Sequence, residues 1–137
     1  EIENLMLQCF HWFSSAGLER PVLYVPPAWA MGCITERRLK KLPYRMYETQ
    51  TGIRDTAAGS FYPMPVTGYM ADTPFRSAAL RVVNGINLAL PSSYIRIAIH
   101  PQDIRLDLVC DLRRHLRSCS RYLDYTEAVR TKSGKSL

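Results

Sequence analysis

Of the three histidines in the 137-residue chain, His100 occupies the position best suited to chemistry. It ends the run Tyr94-Ile95-Arg96-Ile97-Ala98-Ile99-His100-Pro101-Gln102-Asp103. Strand side chains alternate, so Ile95, Ile97 and Ile99 are expected on one face and Arg96, Ala98 and His100 on the other. Pro101 has no N–H to donate and ends the ladder. An imidazole at the carboxyl end of a buried strand, followed by a loop, is where α/β folds keep acid–base and pocket groups. The same position also suits a histidine that only closes its strand through hydrogen bonds. Asp103 has two readings: it fixes the tautomer of the His100 ring, or it makes an Asx-turn or caps the next helix.

A second candidate is Trp29, placed by the stiff run Pro26-Pro27-Ala28. Its flat face suits the C–H face of a sugar, and it suits equally a plug beneath the loop. Glu48 and Asp55 lie near strand ends and are expected to be exposed, as most carboxylates are. Tyr44, Tyr47, Tyr62 and Tyr69 are expected at the edge of the core. His11 and His115 fall on helical patterns, where solvent-facing or snorkelling roles are expected.

These residues need elements to hold them. Ile2, Leu5, Met6, Cys9, Phe10, Phe13 and Ala16 recur at helical spacing and predict one wide buried stripe, closed by Gly17. No capping side chain precedes Glu1-Ile2, which predicts that the chain was cut from something longer. Val22–Val25 reads as a strand, and Thr35 as the cap of a short helix over Glu36–Leu42. Tyr44–Thr49 reads as a second strand, with turns at Gly52–Asp55 and Gly59. Phe61–Tyr69, broken by Pro63 and Pro65, reads as an irregular or edge strand. Thr73-Pro74 starts a helix whose stripe of Phe75, Ala79, Val82, Val83, Ile86 and Leu90 is expected to face the core, with Pro91 and Ser92-Ser93 ending it. A helix from about Asp107 to Ser118 presents Leu108, Val109, Leu112, Leu116 and Cys119. A short helical turn begins at Tyr125-Thr126-Glu127. The domain is expected over residues 1–130, with 131–137 as a flexible polar tail.

Helices alternating with strands predict an α/β fold: about four largely parallel strands with outer helices. Four strands are half of a (β/α) barrel and would leave open edges. The length suits one domain, and 47% hydrophobic residues suffice for a core. The net charge of +6 permits an acidic partner. Clusters such as Arg113-Arg114-Arg117 are nevertheless expected to be solvated helix faces, without nucleic acid. Cys9, Cys33, Cys110 and Cys119 show no zinc-type spacing and are expected as free, mostly buried thiols, which slightly favours a cytoplasmic setting. No apolar run approaches the roughly 20 residues of a membrane span.

Two segments together carry a resemblance. Tyr24-Val25-Pro26-Pro27-Ala28-Trp29 and Ile97-Ala98-Ile99-His100-Pro101-Gln102-Asp103 resemble the later signature blocks of a largely uncharacterised branch of the polysaccharide deacetylase-like (NodB-homology) superfamily. The order of helices and strands from Glu1 to about Val129 is similar too. The resemblance implies the C-terminal part of a distorted (β/α) barrel and a metal-dependent hydrolase that removes acetyl groups from a carbohydrate. It implies His100 as the late catalytic histidine, an acid toward the leaving group or part of the acetyl pocket. Pro26, Pro27 and Trp29 would line the substrate groove, and Asp103 would support His100.

The superfamily holds its divalent metal, usually zinc, with one Asp and two His near the start of the barrel, beside a second Asp that acts as base. No Asp-Asp pair and no His-x-x-x-His pair occurs here. The ligands are therefore expected outside this chain, on an N-terminal half or a companion chain, and the chain alone is expected to be inactive. Val25 stands where better-characterised members carry Arg, and Ala28 where they carry Tyr. These departures suit an alternative: an inactive saccharide-binding or interaction module of the same fold.

Overall fold

The computed structural model describes residues 1–91 and 94–134. The chain is mixed α/β and divides into two compact units, Glu1–Tyr62 and Pro63–Leu137.

In the first unit, helix α1 (Ile2–Ser15) precedes strand β1 (Leu23–Tyr24), and a short α2 (Glu36–Leu39) leads to β2 (Met46–Thr49). β1 and β2 run parallel, with Leu23 beside Met46 and Tyr24 beside Tyr47. The long connection between them is what a parallel pair requires. β3 (Gly52–Asp55) then returns antiparallel to β2, and β4 (Ser60–Pro63) completes a sheet of order β1-β2-β3-β4. The expected turn over Gly52–Asp55 is thus a strand. The reversal occurs at Gln50-Thr51, where Thr49 Oγ1 accepts the Gly52 N–H at 3.2 Å. So short a connection permits only antiparallel pairing, which is why this sheet is mixed rather than largely parallel.

The core of this unit is Met6, Leu39, Tyr44 and Tyr47. Tyr44 donates to the Met6 carbonyl at 2.9 Å, and Tyr47 to the Leu39 carbonyl at 3.0 Å. Each tyrosine thereby satisfies its hydroxyl against a helix backbone and fastens that helix to β2 or to the residues leading into it. Burial pushes the Tyr47 phenol up to about 12. The wide stripe expected on α1 is narrower: Met6 is buried, Phe10 and Phe13 half-buried, and Ile2, Leu5 and Cys9 exposed.

In the second unit, β5 (Val66–Thr67) and β6 (Arg96–Ile97) pair in parallel, and α3 (Pro74–Ala89) is the crossover between them. Thr73 caps α3 by accepting the Arg76 N–H, with Pro74 in the first turn. Ser92 and Ser93, expected to help end this helix, lie outside the described residues. α4 (Val109–Ser118) follows β6, and α5 (Tyr125–Lys132) begins at the cap Asp124 and takes in the first residues of the expected tail. The core is Tyr69, Ala71, Leu108 and Leu112, with Leu80, Ile97 and Leu116 packed against it. Among the described residues, six short strands in two sheets stand where four were expected, and no barrel closes.

The orientation of α3 departs most from expectation. Its expected core stripe faces out: Phe75 is 83%, Val82 62% and Ile86 58% exposed. Ser77 and Asn84 are buried instead, with Leu80 and Asn87 half-buried beside them. The reason is a seam of amide bonds. Gly68 N–H donates to Asn84 Oδ1 at 3.1 Å, and Asn84 Nδ2 returns a bond to the Gly68 carbonyl at 2.8 Å. Asn87 Nδ2 donates to the Val66 carbonyl at 2.8 Å. Among the described residues, β5 pairs with β6 on one edge only. The asparagines serve backbone groups that a further strand would otherwise satisfy.

Asp55, expected to be exposed, is fully buried. Its Oδ2 accepts from Arg45 Nε at 3.1 Å and Nη2 at 2.9 Å, and its Oδ1 from the Ala57 and Ala58 N–H groups at 3.0 Å. Burial opposes the charge, but the Arg45 bonds and the two amides outweigh it and hold the carboxyl below its ordinary range. Asp55→Ala strands two backbone donors and should cost about 2–3 kcal/mol in urea unfolding at pH 7. The folded carboxyl is the more acidic, so its contribution is complete above pH ~4 and falls away as pH drops further. The gap between wild type and variant should therefore shrink at pH 3.

Candidate functional site

His100 lies three residues beyond the last paired residue of β6, at the start of a 3-10 turn over Pro101–Arg105. The Ala98 N–H still donates to the Thr67 carbonyl at 2.9 Å, so the strand keeps its direction nearly to the histidine. Asp103 is fully buried. Its Oδ2 accepts the His100 backbone N–H at 2.8 Å, while its own N–H donates to the His100 carbonyl at 3.0 Å. These reciprocal bonds lock the turn. The His100 ring is not bonded: Nδ1 stands 3.6 Å from Asp103 Oδ2, beyond hydrogen-bond reach. Of the two readings of Asp103, the backbone turn is the bond actually made.

Two atoms at this turn are unsatisfied. His100 Nδ1 and Asp103 Oδ1 are both buried without a hydrogen-bond partner. The His100 side chain is 45% exposed, and with Nδ1 covered that exposure belongs to its other atoms. The ring therefore holds Nδ1 in the covered part of the turn, 3.6 Å from a buried carboxylate, while other atoms of the side chain reach solvent. Ile99 is exposed and Arg96 buried, so the expected buried isoleucine face stops short of the histidine. Arg96 Nε donates to the Met64 carbonyl at 2.8 Å.

Pro26, Pro27 and Trp29 belong to the first unit, whereas His100 and Asp103 belong to the second. Pro26 is buried, Pro27 exposed and Trp29 half-buried. Ala28 and Trp29 adopt φ values of 49° and 57°, the left-handed region that costs an ordinary residue roughly 1–2 kcal/mol. The Trp29 N–H donates to the Pro26 carbonyl and the Ala30 N–H to the Pro27 carbonyl, each at 3.0 Å. Those bonds maintain the reversal that leaves part of the indole exposed.

A buried polar chain has no counterpart among the sequence expectations. The fully buried Tyr69 hydroxyl lies 2.6 Å from His115 Nδ1 and donates to Thr67 Oγ1 at 3.2 Å. His115 is thus half-buried and partnered rather than solvent-facing. Burial raises the Tyr69 phenol, Thr67 pulls it partly back, and the nearby Asp111 and Cys119 raise it further. The signal in the sequence is the stripe Leu112, His115, Leu116 and Cys119, whose three- and four-residue spacing puts the imidazole beside core leucines. Glu48 is also buried, against expectation. The cysteines are free thiols, but Cys9, Cys33 and Cys110 are exposed rather than buried.

Among the described residues no three His, Cys, Asp or Glu side chains converge to hold a metal ion. The residues present do not fit the metal site that the resemblance implies. No helix of the described residues is long and apolar enough to cross a membrane.

Asp103→Ala should destabilise the fold by about 1 kcal/mol, the usual worth of such a cap, and speed hydrogen exchange at the His100 amide. Asp103→Asn keeps an acceptor oxygen and should retain most of that stability. Tyr69→Phe should cost about 1–2 kcal/mol, because it leaves His115 Nδ1 without its partner. Equilibrium unfolding by urea checks all three.

No family model matches the chain, and neither a curated protein nor a solved structure matches it.

Proposed function

We propose that this chain is the C-terminal part of a deacetylase-like hydrolase with a distorted (β/α) barrel, acting on acetylated carbohydrate. The observation that carries the reading is the His100–Asp103 turn at the tip of β6, inside the Ile-His-Pro-Gln-Asp run that bears the resemblance. In this reading the charged ring carries a proton on each nitrogen: Nδ1 keeps its own on the side of the Asp103 carboxylate, and Nε2 gives its own to the departing amine or alcohol, leaving the ring neutral. Pro26 and Pro27 fix the turn that offers Trp29 as a stacking face for a sugar ring. The divalent metal, zinc by the resemblance, would be held by residues other than those described here.

Val25 is half-exposed where better-characterised relatives of this fold would carry Arg. A neutral side chain there cannot orient a catalytic carboxylate, which favours the alternative of a saccharide-binding module without activity.

The two readings separate in one assay: acetate release from acetylated chitooligosaccharide by the native gene product, purified with any chain that accompanies it. The enzyme reading expects release that chelator abolishes and that His100→Ala lowers by about 10²–10⁴-fold, the usual worth of a positioned acid or base. Saccharide binding without release, lost in Trp29→Ala, supports the module. Neither release nor binding overturns both.

A further inference from the structure

The outward side of α3 carries no charge over nearly half of the helix circumference. At about 100° per residue, the exposed positions from Gly85 round to Val83 fill an arc of about 160°. Four of them are large and apolar: Phe75, Val82, Val83 and Ile86. Four are small: Ala78, Ala79, Gly85 and Ala89. Phe75, Ala79, Val82, Ile86 and Ala89 advance in alternating four- and three-residue steps, the spacing of a seam between two helices. The amide seam on the opposite side of α3 fixes the orientation, so the helix cannot roll to bury this arc without breaking the bonds to Gly68 and Val66.

The order of large and small residues along the arc suits a second copy of the chain. In a pair of α3 helices set antiparallel about a two-fold axis through Val82, residues equidistant from Val82 stand opposite each other. Phe75 then meets Ala89 of the other copy, Ile86 meets Ala78, and Gly85 meets Ala79. Each large side chain faces a small one, and only Val82 faces itself. A parallel pair would set Phe75 against Phe75 and Gly85 against Gly85, with a clash at one end and a void at the other. The arc is thus complementary to itself, as an isologous contact requires.

The size and the borders of the arc agree. Four large side chains at roughly 60–120 Å² each, partly covered and flanked by alanines, present on the order of 400 Å² of apolar surface. A standard interface takes ~800 Å² from each partner, of which about 450 Å² is apolar. The two charged residues of α3 border the arc and are already paired. Arg76 donates to Asp72 at 2.9 Å and Arg81 to Asp111 at 3.0 Å. Two copies therefore bring no unpaired α3 cation to the seam, and an anionic surface finds none on this helix to bind. The net charge of +6 opposes association only weakly at about 0.15 M salt, where the Debye length is about 8 Å.

We infer that α3 is the interface of a homodimer, packed antiparallel on α3 of a second copy about a two-fold axis at Val82. A single helix pair belongs at the weak end of the range for such interfaces, so the dimer dissociates near about 1 μM and forms by about 100 μM chain. Urea unfolding in dilute solution therefore reads the monomer alone. This inference is independent of the deacetylase-like reading, since it uses neither His100 nor Trp29.

Sedimentation equilibrium of the full chain tests it. At about 100 μM the wild type should show twice the mass of one chain, and it should keep that mass in high salt because the seam is apolar. Val82→Asp places two like charges face to face at the axis and should weaken the dimer by about 100-fold or more. Val82→Lys should do the same. Mixed in equal amounts, V82D and V82K should restore the dimer, because Asp then faces Lys across the axis. Should either variant lose its circular dichroism, A89F gives a second readout: it sets another large ring against Phe75 of the other copy and should leave the chain monomeric. A wild type that is monomeric at this concentration or separates in high salt would overturn the inference. So would a dimer unmoved by V82D or A89F, or a mixture of folded V82D and V82K that stays monomeric.

Discussion

Asn84 bonds both backbone groups of Gly68, and the arrangement of the second unit depends on that pairing. A side-chain amide carries the same donor and acceptor as a peptide, so it can stand beside a strand as a short substitute for a neighbour. Asn87 extends the substitution to Val66. Each buried amide left unsatisfied would cost about 1–3 kcal/mol. Turning the apolar stripe inward would strand these groups, and so short a strand pair has little apolar surface with which to cover it. The helix therefore presents its polar side inward and its hydrophobic side to water. β6, held in register with β5, then carries the chain toward His100.

Hydrophobic periodicity locates the helices but misassigns the face of α3. The stripe of Phe75, Val82, Val83 and Ile86 is regular, and the usual inference is that such a stripe meets the core. The competing stripe of Ser77, Leu80, Asn84 and Asn87 has the same spacing and lower hydropathy, and its value appears only once an unpaired strand edge lies beneath it. The cap at Thr73-Pro74 and the inward leucines of α4 are legible because they depend on local chemistry alone. The hairpin from β2 to β3 is missed for another reason: Gln50-Thr51 is not a typical turn pair, and its geometry comes from the hydroxyl of Thr49.

The site is legible in part. His100 and Asp103 stand close together, as their spacing suggests, but the carboxylate bonds the backbone and leaves the ring unbonded. Sequence alone does not decide between those bonds, because the same three-residue separation serves both. Trp29 reaches its half-exposed position through two consecutive left-handed residues, a conformation that no residue type at 28 or 29 announces. The Tyr69–His115 contact joins residues far apart in the chain, and such contacts come from the fold rather than from any local pattern.

The central claim is that amide bonding, not apolar burial, orients α3. Urea unfolding of Asn84→Ala beside Ile86→Ala tests it most directly. The account predicts a loss of about 2 kcal/mol or more for Asn84→Ala, because two bonds to a buried seam disappear. It predicts a change within about 0.5 kcal/mol for Ile86→Ala, as for other exposed positions. A loss of ~2–5 kcal/mol for Ile86→Ala, the usual cost of emptying a core site, with Asn84→Ala neutral, would contradict it.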